Sequence, residues 1–305
     1  GAALICLEIE EDGQQRRLLF TGDLGRPEQP LLRDPYIPED VNILITESTY
    51  GGQDDFMPSR VEAEERLTYV INETLERKGK VLIPVPAVGR AQEIMLIIDG
   101  YMKRGLMKEA PVFIEGMISE ATAIHTAYPE YLGREVRHSI LHEEVNPFKS
   151  DYFTIVEHPS IRQSIIEGEP CVVLATSGML EGGPVIEYFK NWASDEKNTI
   201  IFVSYQIEGT MGKRVQKGVN EVTMMDNEGK MAVVQVKMQT ESIEGFSGHS
   251  DRRQLINYLT HLKPKPERIF VCHGEKQKIM NMAGFLNHKA GINTVVPGIL
   301  ETFRL

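Results

Sequence analysis

Four residues of this chain are of types that bind divalent metals or move protons, and each stands where a strand pattern gives out or a turn begins. Arg17-Leu18-Leu19-Phe20-Thr21-Gly22-Asp23 leads to Asp23, Val41-Asn42-Ile43-Leu44-Ile45-Thr46-Glu47 to Glu47, and Arg268-Ile269-Phe270-Val271-Cys272-His273 to His273. The fourth, His249, lies in the glycine-rich turn Gly245-Phe246-Ser247-Gly248-His249-Ser250-Asp251, just ahead of a helical pattern. In α/β folds the carboxyl ends of the strands converge on the ligand site. Two carboxylates and two imidazoles gathered there are the donor set of a hydrolytic metal centre.

Each residue also has a plainer reading. Asp23, flanked by glycines that let the backbone come close, can bridge two cations or be a turn aspartate. Glu47 can orient a histidine and handle a proton, or be a solvated carboxylate at a strand end. His249 stands before a helix N-terminus, where phosphate is favoured, or is a turn histidine. His273 is a zinc ligand in waiting or a structural histidine. Thr176-Ser177-Gly178, after the buried run Cys171–Ala175, offers hydroxyl and backbone donors to a phosphate or is an ordinary strand–loop junction. His125, His138, His142, His158, His261 and His288 fall in helical or loop contexts and read as structural or surface residues. The segment Glu208–Arg214 lacks the G-x-x-x-x-G-K-[ST] spacing, and G-x-G-x-x-G is absent, which excludes nucleotide-binding loops of those kinds.

The elements that must position these groups alternate between strand and helix, which predicts an α/β fold. Leu67, Val70, Ile71 and Leu75 predict a helix over Ser59–Lys78, with Gly79 ending it. A strand at Val81–Val85, a helix from Ala91 to about Arg104 and a strand at Val112–Glu115 follow. Ser119–Gly168 reads as helix and loop. Helices are expected from Gly183-Pro184, from Ser250 as N-cap, and from about Glu275. Further strands are expected at Thr199–Ser204 and near Asn293–Val296. Hairpin turns are expected at Glu11-Asp12-Gly13 and at Asp226-Asn227-Glu228-Gly229.

The 305 residues allow two domains, or one domain with a large insertion. With 41% hydrophobic and 25% charged residues, the composition is that of an ordinary globular protein, and no apolar run approaches a membrane span. Three cysteines without a C-x-x-C pair argue against a disulfide framework and a thiolate zinc site, and suit a reducing cytoplasm. Cys272 reads as core filler. A net charge of −11 disfavours non-specific nucleic-acid binding but leaves room for a local basic groove. The strand-like opening, Gly1 to Ile9, implies that further sequence precedes it.

Taken in order, Phe20–Gly25, Glu47–Gly51, Ile83–Glu93, Ala175–Leu180, Phe246–Asp251 and Cys272–Glu275 resemble the β-CASP branch of the metallo-β-lactamase superfamily. The likeness is closest to the archaeal relatives of the cleavage and polyadenylation specificity factor nuclease. Glu115–Ala123 and Val203–Thr210 are also similar to the archaeal type, so the resemblance runs over essentially the whole chain. It implies a partial metallo-β-lactamase (αββα) domain at 1–52, an inserted α/β β-CASP domain at 53–246, and a metallo-β-lactamase return at 247–305. It implies a zinc-dependent ribonuclease in which two zinc ions hold a bridging hydroxide that attacks the RNA phosphodiester. Asp23 would bridge the metals and His273 would ligate one. Glu47 would hold His249, which would contact the scissile phosphate or assist proton transfer, and Thr176, Ser177 and Gly178 would line the RNA path. The family's H-x-H-x-D-H motif does not occur in the chain, so most metal ligands are expected from an upstream segment. KH modules upstream and a homodimer formed through the C-terminal end belong to the same archaeal type. The alternative is a non-catalytic RNA-binding or scaffold paralogue, against which the retention of all four residues counts. A small-molecule hydrolase of the superfamily fits less well with the long 53–246 insertion.

Overall fold

The computed structural model describes residues 3–11, 13–225 and 230–304. They fall into two compact units. One is built from the residues up to Gln29, Arg33–Met57 and the residues from Ser247 onward; the other from Pro30–Leu32 and Pro58–Phe246.

The first unit opens with strands β1 (Ile5–Glu11), β2 (Gln14–Phe20) and β3 (Ile43–Thr46). The chain then enters the second unit and forms α1 (Arg60–Glu76), β4 (Val81–Pro84), α2 (Arg90–Lys103), β5 (Val112–Glu115) and α3 (Ile118–Ala127). A short 3-10 turn (Pro129–Tyr131), α4 (Arg134–His142), β6 (Phe153–Ile155), α5 (Pro159–Glu167), β7 (Val172–Ala175) and α6 (Val185–Trp192) come next. The unit ends with β8 (Thr199–Phe202), α7 (Met211–Gln216), β9 (Glu221–Met225), β10 (Met231–Gln235) and β11 (Gln239–Ser242). Back in the first unit lie α8 (Arg252–His261), β12 (Arg268–Val271), α9 (Lys276–His288) and β13 (Thr294–Val295).

The first unit's sheet runs β1-β2-β3-β12-β13, so strands separated by some two hundred residues lie side by side. β1 and β2 are antiparallel, with Leu7 opposite Leu18; β2, β3, β12 and β13 are parallel. Side chains alternate across the sheet. Leu19, Leu44, Ile269 and Val271 face α8 and α9, packing with Leu255, Leu259, Met282 and Leu286. Among the described residues the hydrophobic cluster on the opposite face buries Leu18, Ile43 and Phe270, with Phe303 edge-on to Phe270 at 5.1 Å. On β1 it leaves Ile5 and Leu7 about half exposed.

The second unit holds an all-parallel sheet, β11-β8-β4-β7-β5-β6, with hydrophobic clusters on both faces. Val81, Ile83, Val172 and Leu174 pack on one side, and Leu82, Val173, Ile200 and Phe202 on the other. That explains why these strands read as continuous apolar runs. β9 and β10 form a separate antiparallel ribbon. Among the described residues no helix is long and apolar enough to cross a membrane.

The mixed α/β architecture matches the expected fold class. Locally, three expectations need correction. α8 is N-capped by Asp251, whose side chain accepts from the Gln254 N–H, rather than by Ser250, whose hydroxyl donates to the Gly25 carbonyl at 2.8 Å. α1 ends through Lys78 at φ +60°, and Gly79 serves a close approach instead: a Cβ there would fall 1.7 Å from the Lys197 carbonyl oxygen. Cys272 is half-buried rather than core. The strands flanking both expected hairpin turns do pair, Glu11 with Gln14 and Met225 with Met231, while Asp12 and 226–229 lie outside the described residues.

Candidate metal centre

The three parallel strands β2, β3 and β12 end at one edge of the first sheet, and the residues just past them form the site. The backbone continues the ladder beyond the strand ends. Thr21 N–H donates to the Ile45 carbonyl at 3.0 Å, Cys272 N–H to Thr46 at 2.9 Å, and Ser48 N–H to His273 at 3.0 Å. Gly22, at φ +55°, turns the chain so that Asp23 follows immediately beyond β2. His273 itself adopts φ +44°, a conformation L residues take sparingly. Gly274 permits the turn, since a Cβ there would sit 2.6 Å from the Ser48 carbonyl oxygen. The fourth residue arrives on the loop before α8, fastened by Ser250 N–H to the Leu24 carbonyl at 2.7 Å.

Glu47 is the buried centre of the group, at 2% exposure. Its carboxylate accepts from Leu24 N–H at 2.6 Å, from Thr49 N–H at 3.3 Å, and from His249 Nδ1 at 3.0 Å to one oxygen and 3.1 Å to the other. Burial pushes its pKa up, but the hydrogen bonds from His249 and Thr49, the His249 charge and the Leu24 N–H together hold it below the usual carboxylate value. The Glu47 hydrogen bond, reinforced by the charges of Glu47 and Asp23, raises the His249 pKa against the opposing effect of burial.

Because Glu47 engages Nδ1, that nitrogen carries the proton and Nε2 is the free end of the ring. Nε2 lies 4.0 Å from Asp23 Oδ2. On the other side of Asp23, Oδ1 is 3.3 Å from His273 Nδ1, which is also 3.5 Å from the Thr49 hydroxyl. The two imidazoles are 6.0 Å apart, and the Tyr50 ring meets His249 edge-on at 6.3 Å. All four sequence-predicted residues thus gather in the first unit. Asp23, Glu47 and His249 each offer a ligand atom within 4.8 Å of the others. Of these, Glu47 already has both oxygens engaged, whereas Asp23 is more than half exposed, as is His273, which lies outside that trio. A nitrogen and oxygen donor set without thiolate suits zinc.

The remaining predicted residues lie in the second unit, at the carboxyl end of β7. Thr176 N–H donates to the Glu115 carbonyl at 3.3 Å, and Ser177 N–H to the Gly182 carbonyl at 3.0 Å. Those two backbone donors are spent inside the fold, and the Ser177 hydroxyl accepts from the Glu181 N–H at 3.1 Å. Gly178 is required by packing, since a Cβ would come 2.9 Å from the Pro86 ring. Sequence reading missed Thr49, Ser250 and the Leu24 backbone as supports of Glu47 and His249. Thr49 and Ser250 adjoin residues already singled out, but only the folded register shows which groups they reach.

A family model described as the Beta-Casp domain matches residues 91–215, and one described as the Zn-dependent metallo-hydrolase RNA specificity domain matches 233–297. Among curated proteins, the chain is 52% identical over its whole length to the transcription termination factor FttA of Pyrococcus abyssi, covering 47% of that protein. It is 47% identical to the FttA of Methanothermobacter thermautotrophicus and 48% identical to that of Methanocaldococcus jannaschii, again along the whole chain and covering 48% of each. The chain spans about half the length of the curated relatives it matches. With both family models matched in order, and archaeal relatives similar from end to end, the chain belongs to the archaeal β-CASP branch of the metallo-β-lactamase superfamily.

Proposed function

We propose that this chain carries the second half of a dinuclear zinc centre in a ribonuclease that hydrolyses RNA phosphodiesters, within a longer polypeptide that supplies the remaining metal ligands. The observation that carries the reading is the buried Glu47–His249 pair, which leaves His249 Nε2 beside Asp23, with His273 on the far side of the same carboxylate. In this reading the first unit is metallo-β-lactamase in type and the second is the β-CASP insertion.

Asp23 and His273, whose facing ligand atoms lie 3.3 Å apart, would hold the metal. Zinc, when bound, supplies Lewis acidity and neutralises charge at a phosphodiester. Glu47 is fixed by its own hydrogen bonds, so it orients His249 rather than binding metal. His249, with its pKa raised by Glu47, holds a proton for the phosphate or the leaving oxygen at Nε2. Thr176 and Ser177 contribute hydroxyls to the RNA path, with Gly178 keeping the turn tight. Two ligands from this chain do not close a dinuclear centre. The matched relatives are about twice as long, and one face of the first unit's sheet is thinly covered among the described residues; both fit a domain completed by further sequence. Pairing of two copies through the C-terminal end, where Ile299 and Leu300 are almost fully exposed, belongs to the same proposal.

The test is zinc binding and RNA cleavage by the purified 305-residue chain. It is expected to cleave RNA weakly or not at all, and Asp23→Asn is expected to reduce whatever zinc it takes up. Robust metal-dependent cleavage by the chain alone would refute the split site.

A further inference from the structure

Beyond the carboxyl end of β8, the segment Ser204–Gly218 carries features that the metal centre does not use. Tyr205 is 65% exposed, and Ile207 beside it is half exposed. The segment holds three cations, Lys213, Arg214 and Lys217, against one carboxylate, Glu208, in a chain of net charge −11. Lys213 Nζ lies over the Tyr205 ring, 6.0 Å from its centroid, and is steadied by Gln216 Oε1 at 2.9 Å.

The exposure of Tyr205 is built in. Its neighbour Gln206 turns inward, 1% exposed, and donates to the Gly178 carbonyl at 2.9 Å and the Ser204 carbonyl at 3.1 Å. Gly212 N–H donates to the Met179 carbonyl at 2.8 Å, and Met211 N–H to Glu181 Oε1 at 2.6 Å. A Cβ at Gly212 would fall 1.9 Å from Gln206 Oε1, so this lock requires glycine there. The segment is thus bolted to the Thr176–Glu181 turn, and the inward Gln206 forces Tyr205 outward. Gln206 Oε1 and the Ser204 hydroxyl are buried without a hydrogen-bond partner among the described residues, a cost that a loop kept only for packing avoids with apolar residues. Lys217 pairs with Glu208 at 2.9 Å, so the cation shown against the ring is Lys213, with Arg214 next to it in sequence. An exposed ring with cations on its own segment is how proteins hold single-stranded nucleic acid: bases stack on the ring while the cations follow the backbone.

We propose that Tyr205 is a stacking platform for an unpaired base of the RNA, with Lys213 and Arg214 holding the adjoining phosphates. The proposal rests on the ribonuclease reading and extends the RNA path from Thr176–Gly178 onto this segment. Tyr205 acts as a positioning residue for the substrate.

The experiment is fluorescence anisotropy of the 305-residue chain with a fluorescein-labelled oligoadenylate and with an abasic strand of the same backbone. Tyr205→Ala is expected to weaken oligoadenylate binding by roughly ten-fold or more, the size seen when a stacking aromatic is removed. Tyr205→Phe is expected to bind like the unaltered chain, and the abasic strand to bind both variants alike. Lys213→Ala is expected to flatten the salt dependence of binding. Equal oligoadenylate binding by Tyr205→Ala and the unaltered chain overturns the proposal and leaves the ribonuclease reading standing. An equal loss on the abasic strand also overturns it. An unaltered chain that takes no RNA overturns both.

Discussion

Replacing Glu47 by Gln changes one buried atom and removes one charge, with consequences that can be worked out from its contacts. The carboxylate accepts three donors: Leu24 N–H, Thr49 N–H and His249 Nδ1. A glutamine amide presents one oxygen and one NH2 in their place. Whichever way the amide is turned, its nitrogen faces a backbone N–H, that of Leu24 or that of Thr49, because each carboxylate oxygen accepts from one of them. Losing a charge-assisted hydrogen bond costs about 1.5–3 kcal/mol and stranding a buried donor about 1–3 kcal/mol, so a loss of roughly 3 kcal/mol is expected. In a unit of about a hundred residues that lowers the melting midpoint by about 12 °C.

The pH dependence sharpens the test. The Glu47 pKa is lowered from 4.5, so its contribution is present above that value and fades as pH falls through the folded value. The His249 pKa is raised from 6.5, so its contribution is complete below 6.5 and fades as pH rises through the folded value. The deficit of the variant is therefore largest between 4.5 and 6.5. Urea unfolding of the chelator-treated chain, followed by circular dichroism across that range, measures it. Hydrogen exchange at residues 43–48 reports whether the loss is local. A deficit under about 0.5 kcal/mol at pH 5.5, the range of an ordinary surface change, refutes the assignment of Glu47 as the buried anchor of His249.

Gly274→Ala pushes a methyl against the Ser48 carbonyl, 2.6 Å from where its Cβ must go, and is expected to cost about 1–3 kcal/mol in thermal melts. In the second unit, the Tyr188 hydroxyl donates to Glu115 Oε2 at 2.6 Å in a buried pocket where Arg162 also meets Glu115. Tyr188→Phe is expected to lose about 1.5–3 kcal/mol in urea unfolding followed by the fluorescence of Trp192, whose ring lies 5.1 Å away. Burial pushes the Cys171 thiol up to about 12, so iodoacetamide at pH 8 is expected to leave it unmodified while alkylating the exposed Cys6, as peptide mass spectrometry will show.

Much of the candidate site was legible because β2, β3 and β12 each carry a short apolar run, Leu18–Phe20, Ile43–Ile45 and Ile269–Val271, followed within three residues by a titratable group. The sequence could not show that the strands are neighbours. Arg268 pairs with Ile43 and Leu18 with Ile43, contacts set by the sheet order rather than by any local signal. For the same reason Thr49 and the Leu24 N–H were invisible as partners of Glu47: one bonds through its backbone, and the other lies 23 residues away. Gly79 illustrates a different limit. A glycine after a helix suggests a cap, yet here Lys78 takes the left-handed conformation and the glycine is dictated by a carbonyl more than a hundred residues on. β11 went unread because Gln239–Ser242 has no apolar run; it is a strand through its pairing with β8 alone.

The central claim is that Asp23, His249 and His273, ordered by Glu47, complete a hydrolytic zinc centre. Its most direct test is single-turnover cleavage of end-labelled RNA by the longer polypeptide that carries this chain, with and without zinc, comparing the unaltered protein with His249→Ala. Zinc-dependent cleavage that falls at least about a hundred-fold in the variant, the scale of a lost general acid, with RNA affinity retained, is the predicted result. Cleavage that persists undiminished in His249→Ala, or that needs no metal, contradicts it.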